Sequence, residues 1–143
     1  MQGTILISKA VEIAARAHAG QTDKAGNPYI EHPLRVMLKV KGDVAKAVAA
    51  LHDVLEDTDL TVEDLRAEDI PEEVIEIVEL LTKVPGEEYE KQVRRTLKHP
   101  IAKQVKKADV EDNSSAKRLK SLDKETQDRL KKKYALALSI LKE

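Results

Sequence analysis

The sequence predicts an all-α fold, a bundle of about seven or eight helices. Three observations carry that expectation. Phe and Trp are absent and Tyr occurs three times, so the core must come from Leu, Ile, Val and Ala, with few of the aromatic residues that favour strands. Only five Gly and five Pro interrupt the 143 residues. Apolar side chains recur at i, i+3, i+4 and i+7, the spacing of one buried helical stripe.

The elements follow in order. Thr4 to Ala19 is rich in Ala, Ile and Val and reads as a helix ending at Gly20. GQTDKAGNPYIEHP reads as a loop, and Pro33 suits the start of a helix carrying Leu34, Val36 and Leu38. Val44, Ala47, Val48, Leu51 and Leu55 form the next stripe, with Asp43 as N-cap and the helix running on through LHDVLED. Thr61 and Asp64 resemble a capping box before a short helix. Val74, Ile77, Val78 and Leu81 make the clearest stripe, opened by Pro71. Gly86 begins a helix through Tyr89, Val93 and Leu97; Pro100 begins a long one through Ile101, Val105 and Ala108 toward Leu119. A last helix packs Leu130, Tyr134, Leu138 and Leu141. No internal repeat or linker marks a second unit, so residues 1–143 read as one domain.

Composition also narrows function. The absence of Cys excludes thiolate catalysis, iron–sulfur clusters, disulfides and Cys-type zinc sites, and fits a reducing compartment. A net charge of -1 provides no global field to recruit nucleic acid or a membrane surface. No apolar stretch approaches the roughly 20 residues that cross a bilayer, and the N-terminus does not look like a signal peptide. The expectation is a soluble cytoplasmic protein.

Chemistry concentrates in LHDVLEDT, where His52, Asp53, Glu56 and Asp57 share six positions. On a continuous helix His52 stacks with Glu56 and Asp53 with Asp57. The plain reading is a solvated charged face. Buried, three carboxylates would repel one another unless a cation or solvent compensated them. His32 precedes Pro33 at a loop-to-helix junction, and Asp109 lies in KKADVEDN on a face shared with Asp112 and Asn113. Two imidazoles and two carboxylates from three elements could hold a divalent first-row metal with positions open for water and substrate. His18 reads as a helix-end residue packing on the loop, and His99 as solvent-exposed.

In order along the chain, RAHAGQTDKAGNPYIEHPLRV, ALHDVLEDT, LTKVPGEEYEKQVRR and VKKADVEDN resemble the motifs of the HD-domain alarmone hydrolases, the hydrolase half of the RelA/SpoT enzymes and its small stand-alone relatives. The resemblance spans about Val11 to Tyr134. It implies that His32, His52, Asp53 and Asp109 bind one divalent metal per chain, usually Mn²⁺ in that family. Glu56 and Asp57 match a pair that orients or deprotonates the attacking water, and Asn113 matches a nucleotide contact. Tyr134 lies close to a tyrosine that lines the nucleotide pocket, and Tyr29 matches a position beside the first ligand. Lys24, Lys83, Arg94 and Lys106 are the cations nearest the motifs and are candidates for phosphate contacts.

Two positions depart from the family pattern. Asp23-Lys24 stands where an Arg-Lys pair is usual, removing a cationic planar partner for the base, and Lys107 stands where Leu is common. The implied activity is removal of the 3′-pyrophosphate of guanosine polyphosphates such as (p)ppGpp by metal-activated water. Two alternatives stand beside it: a hydrolase for another nucleotide, such as an adenine alarmone or a nucleoside phosphate, and a module that binds a nucleotide without turnover.

Overall fold

The computed structural model describes residues 2–143. Ten α-helical segments follow one another: α1 (Gly3–Ala17), α2 (Glu31–Lys39), α3 (Asp43–Leu51), α4 (Val54–Asp57), α5 (Val62–Ala67), α6 (Glu72–Leu81), α7 (Tyr89–Arg95), α8 (Pro100–Asn113), α9 (Ala116–Leu119) and α10 (Lys124–Leu141). A 3₁₀ turn, Thr96–Lys98, joins α7 to α8. No strand forms among the described residues; an isolated antiparallel bridge between Thr22 and Pro28 closes the loop before α2. Nor is any described helix long and apolar enough to cross a membrane.

α3 is the centre of the fold. Ala47, Val48, Ala49, Ala50 and Leu51 are fully buried, so this helix is apolar almost all round, as a helix enclosed by others must be. It packs against α1, α2, α6 and α8. Small residues on both sides, Ala10 and Ala14 of α1 among them, let α1 come close. A Cβ at Gly3 would lie 1.9 Å from Oδ2 of the exposed Asp43, so a larger residue there would make that side chain move aside. A second apolar cluster, Val93, Val110, Ala137, Ile140 and Leu141, joins α7, α8 and α10. α8 belongs to both clusters: Ala102, Val105 and Ala108 face the first and Val110 the second.

Several local expectations need correction. The helix expected to run through LHDVLED breaks at His52–Asp53, because His52 Nδ1–H donates to Ala49 O at 2.6 Å and takes the carbonyl that a continuing helix would offer to the Asp53 amide. Asp43 is the first residue of α3 rather than its cap; Gly42 is the N-cap, at φ 97 and ψ 148. The helix expected from Gly86 starts at Tyr89. The helix from Pro100 ends at Asn113, and Leu119 belongs to the separate α9 that Ser115 caps through Arg118 N. These two breaks raise the helix count above the expected seven or eight. His99 is half-buried, not solvent-exposed, because its Nδ1 caps α8 by accepting from Ile101 N at 3.1 Å. The Thr61–Asp64 capping box forms with both reciprocal bonds.

Candidate metal centre and nucleotide cavity

The break after α3 aims both residues of the HD pair inward. A continuing helix would place His52 and Asp53 about 100° apart, whereas the turn brings His52 Nε2 within 3.2 Å of Asp53 Oδ2. α2 contributes His32, whose Nε2 lies 3.0 Å from Asp109 Oδ1 and 3.5 Å from Asp53 Oδ2. Asp109 comes from the C-terminal half of α8, and its Oδ1 is also 3.3 Å from His52 Nε2. Ring nitrogens of His32 and His52 and a carboxylate oxygen of Asp109 all lie within 4.8 Å of one another, the spacing of donors around one ion.

The protons decide what the cluster can hold. His52 Nδ1 faces a carbonyl, Ala49 O, and His32 Nδ1 faces the Asp112 carboxylate at 2.7 Å. Each Nδ1 therefore carries the hydrogen, and a neutral ring turns its Nε2 lone pair toward Asp53 and Asp109. Lone pairs facing carboxylates repel unless positive charge lies between them. Without a metal, that charge is a proton. Burial depresses the basicity of His52, but Asp53 and Asp109 outweigh it and hold its pKa well above the usual histidine value. Burial pushes the Asp109 carboxyl up, but Lys106, His32 and His52 together hold it well below the ordinary range. Asp53 likewise falls to about 2, its burial overcome by His52. Two imidazoles and two hard carboxylates thus fit a divalent cation, with each imidazole braced from behind.

The cluster lies at the floor of a cavity of about 280 Å³. Glu56, Asp57, Lys83, Tyr89, Lys106, Asn113, Lys133 and Tyr134 form its walls. Glu56 Oε1 accepts from Lys83 N at 2.8 Å. Asp57 receives the Tyr29 hydroxyl at 3.3 Å, and that hydroxyl donates to Asp53 Oδ2 at 2.7 Å. Partial burial, then Asp53 and Glu56, push the Asp57 carboxyl up, as a proton-accepting group requires. Asn113 Nδ2 donates to Asp109 Oδ1 at 3.0 Å, while Asn113 Oδ1 accepts from Arg118 at 2.8 Å. A second cavity of about 390 Å³ shares Tyr29, Asn113, Lys133 and Tyr134 as a common wall and adds Asp23, Lys24, Arg118 and Arg129.

Most of the residues singled out in the sequence meet here, but not all. Lys24 lines only the second cavity. Arg94 lies in neither. It is exposed and paired with Glu90 and Glu143, because the helical turn that buries Val93 points the next side chain outward. His18 caps α1 and is buried, its ring 5.0 Å from that of Tyr29. Asp23 turns back on its own loop, its Oδ1 accepting from Ala25 N and Asn27 N at 2.9 Å each. Lys107 is exposed on the far side of α8.

Sequence reasoning does not single out Arg35, Lys133 or Arg118, and places Asp112 on the face of Asp109 without a role. In the sequence Lys106 is one cation among several, yet its ammonium is buried 3.2 Å from Asp109 Oδ2. The available signal was register: Lys106 and Asp112 lie one turn either side of Asp109. In a sequence with 51 charged residues that signal is indistinguishable from a solvated face.

Fold and centre define a class: an all-helical protein that gathers histidine and aspartate from separate helices into a cluster able to hold a cation at the floor of a polar cavity. The sequence profile of the HD domain family matches residues 10–133. The chain belongs to the HD domain family. It is 39% identical over 119 residues to the guanosine-3′,5′-bis(diphosphate) 3′-pyrophosphohydrolase of Aquifex aeolicus, covering 75% of this chain and 17% of that protein. Likeness to the Borreliella burgdorferi protein of the same name is 40% over 82 residues, 54% of this chain and 12% of that one. A probable GTP pyrophosphokinase of Mycobacterium leprae is 34% identical over 117 residues, 73% of this chain and 15% of that protein. The chain thus spans about a sixth or less of these relatives' length. Among solved structures, a metazoan ortholog of SpoT that hydrolyzes ppGpp superposes with a TM-score of 0.79 at 24% identity, over 95% of this chain and 85% of that one. That likeness establishes the fold.

Proposed function

We propose that this chain is a Mn²⁺-dependent hydrolase that removes the 3′-pyrophosphate of guanosine polyphosphates such as (p)ppGpp, and that residues 1–143 act as one catalytic unit. The observation that carries the reading is the convergence of His32, His52, Asp53 and Asp109 at the floor of a cavity that also holds three further carboxylates, Glu56, Asp57 and Glu87, and several cations. The names of the A. aeolicus and B. burgdorferi relatives support the same substrate. A cytoplasmic setting suits a nucleotide substrate.

In this reading His32, His52, Asp53 and Asp109 hold the ion, and mixed nitrogen and oxygen donors with open positions favour Mn²⁺. When bound, a divalent ion neutralises phosphate charge and lowers the pKa of water. Asp57 takes the proton of the attacking water, as its raised pKa suits, while Glu56 orients that water and is itself fixed by the Lys83 amide. Water adds to the phosphorus attached at the ribose 3′-oxygen, the P–O3′ bond breaks, the 3′-oxygen departs and takes up the proton that Asp57 removed from the water to become the 3′-hydroxyl, and pyrophosphate is released. Lys83, Lys106 and Lys133 offset the phosphate charge, Asn113 and Tyr134 contact the nucleoside, and Lys24 reaches the nucleotide from the second cavity. Arg94 has no part in this arrangement.

The reading is tested by loading purified protein with Mn²⁺, presenting ppGpp, pppGpp and their adenine counterparts, and separating products by ion exchange. Pyrophosphate release from the guanine substrates is expected. Asp109→Ala should lose both metal, read by elemental analysis after desalting, and activity. Glu56→Gln with Asp57→Asn should keep the metal and lose about 10²- to 10⁴-fold in rate. A double amide variant with wild-type turnover would remove the pair from the mechanism. Release confined to adenine substrates would instead favour a different nucleotide, a possibility raised by Asp23.

A further inference from the structure

His32 and Arg35 are three residues apart on α2, and Asp109 and Asp112 are three residues apart on α8. Where the two helices pack, the first of each pair meets in the cation cluster and the second of each pair meets one turn behind it. Asp112 is 3% exposed. Its Oδ2 accepts from His32 Nδ1 at 2.7 Å and from Arg35 Nη2 at 3.1 Å, and its Oδ1 accepts from Arg35 Nε at 2.8 Å. Arg118 lies 3.5 Å and Lys39 3.9 Å away. A planar guanidinium fork fixes a carboxylate in two dimensions at once, so Arg35 leaves Asp112 one orientation, with an oxygen lone pair aimed at His32.

An imidazole can present Nε2 to an ion only if its hydrogen sits on Nδ1 and the ring is turned the right way. The Asp112 carboxylate supplies both conditions for His32. It also supplies the negative charge that balances Arg35, Arg118 and Lys39 close to a site meant to receive a cation. Neither Arg35 nor Asp112 belongs to the ligand set, the water-handling pair or the nucleotide contacts proposed above.

We infer that Asp112 is a positioning residue for His32, locked by Arg35, and that this carboxylate–imidazole pair sets how tightly the centre takes a divalent cation. The inference rests on the reading of His32 as a ligand. The test titrates Mn²⁺ into wild type, His32→Ala, Asp112→Ala, Asp112→Asn and Arg35→Met, following the free ion by electron paramagnetic resonance. Long-range ¹H–¹⁵N spectra of the histidine rings in Zn²⁺-loaded protein report the His32 tautomer.

His32→Ala should lose Mn²⁺ binding; unchanged binding in that variant would sink the ligand reading itself. With that control in place, Asp112→Ala should bind Mn²⁺ about 10- to 100-fold more weakly and lose the Nδ1–H pattern of His32. Asp112→Asn keeps an acceptor oxygen for His32 but turns an NH₂ toward Arg35, so it should rescue the tautomer and only part of the affinity. Arg35→Met should keep the carboxylate and weaken Mn²⁺ binding by less than Asp112→Ala. Wild-type affinity and an unchanged tautomer in a folded Asp112→Ala would overturn the inference. If that variant does not fold, wild-type affinity in both Asp112→Asn and Arg35→Met would do so.

Discussion

Asp23 shows how one side chain answers local and remote demands at once. Its Oδ1 holds the loop by accepting two backbone amides, while the residue lines a cavity whose other walls include Lys24, Arg118, Arg129 and Lys133. The first role needs an acceptor oxygen; the negative charge is incidental to it. Under the proposed function, that charge works against a phosphate ligand. Asp23→Asn keeps the oxygen and removes the charge, so the loop should persist. KM for ppGpp should fall about two- to fivefold, the worth of roughly 0.5 to 1 kcal/mol between partly solvated charges. Steady-state kinetics at fixed ionic strength measures this; an unchanged or higher KM would place the Asp23 charge out of reach of the substrate. His52 is the other instructive residue. Its imidazole is at once the group that ends α3, through Ala49 O, and a candidate ligand, through Nε2.

At the scale of the element, α3 depends on how it is entered and left. It is entered through Gly42, whose φ of 97 with ψ of 148 lies in a region that side chains essentially forbid. A Cβ at Gly42 would meet no atom within 4 Å, so the penalty of a substitution is backbone strain alone. Gly42→Ala should therefore cost about 1 to 3 kcal/mol, read as a lower urea midpoint with an unchanged slope. A loss below 0.5 kcal/mol would mean that the α2–α3 connection relaxes freely. Because α3 delivers His52 and Asp53, the variant should also bind metal less well at temperatures near its unfolding transition. The other end of α3 is hidden in the sequence because helical periodicity continues through Leu55. Periodicity records which side chains want burial; it carries no information about which group takes a backbone carbonyl.

Across the whole molecule, the centre occupies the seam between the two apolar clusters. α2 and α3 approach from one side, α7 and α10 from the other, and α8 belongs to both. Its polar strip, Lys106, Asp109, Asp112 and Asn113, is the surface on which the halves meet. A cation bound there is linked to folding, because its donors come together only in the native state. At free Mn²⁺ about 100 times its dissociation constant, the gain is about 2.7 kcal/mol. For a chain of this size that corresponds to a rise in Tm of roughly 5 to 10 °C. Thermal scans with Mn²⁺ or with EDTA should show that difference in wild type and lose it in Asp109→Ala. Equal melting of wild type under both conditions would break the link between this cluster and metal.

What the sequence determined on its own is what short-range physics writes into it. Composition and periodicity carried the all-helical class, because apolar spacing within one helix is set by the same face that must be buried. Motif order carried His32, His52, Asp53 and Asp109 as one candidate set, since these chemically demanding side chains stand in a recognisable succession. The packing of α2 on α8 decided the rest. It placed Asp112 behind His32 and locked it with Arg35. Those outcomes depend on partners 77 to 80 positions away in the chain for His32 and Arg35. A charged residue on a helix looks the same in sequence whether it faces water or a buried imidazole. Desolvation distinguishes the two, and it exists only once the helices have closed around the side chain.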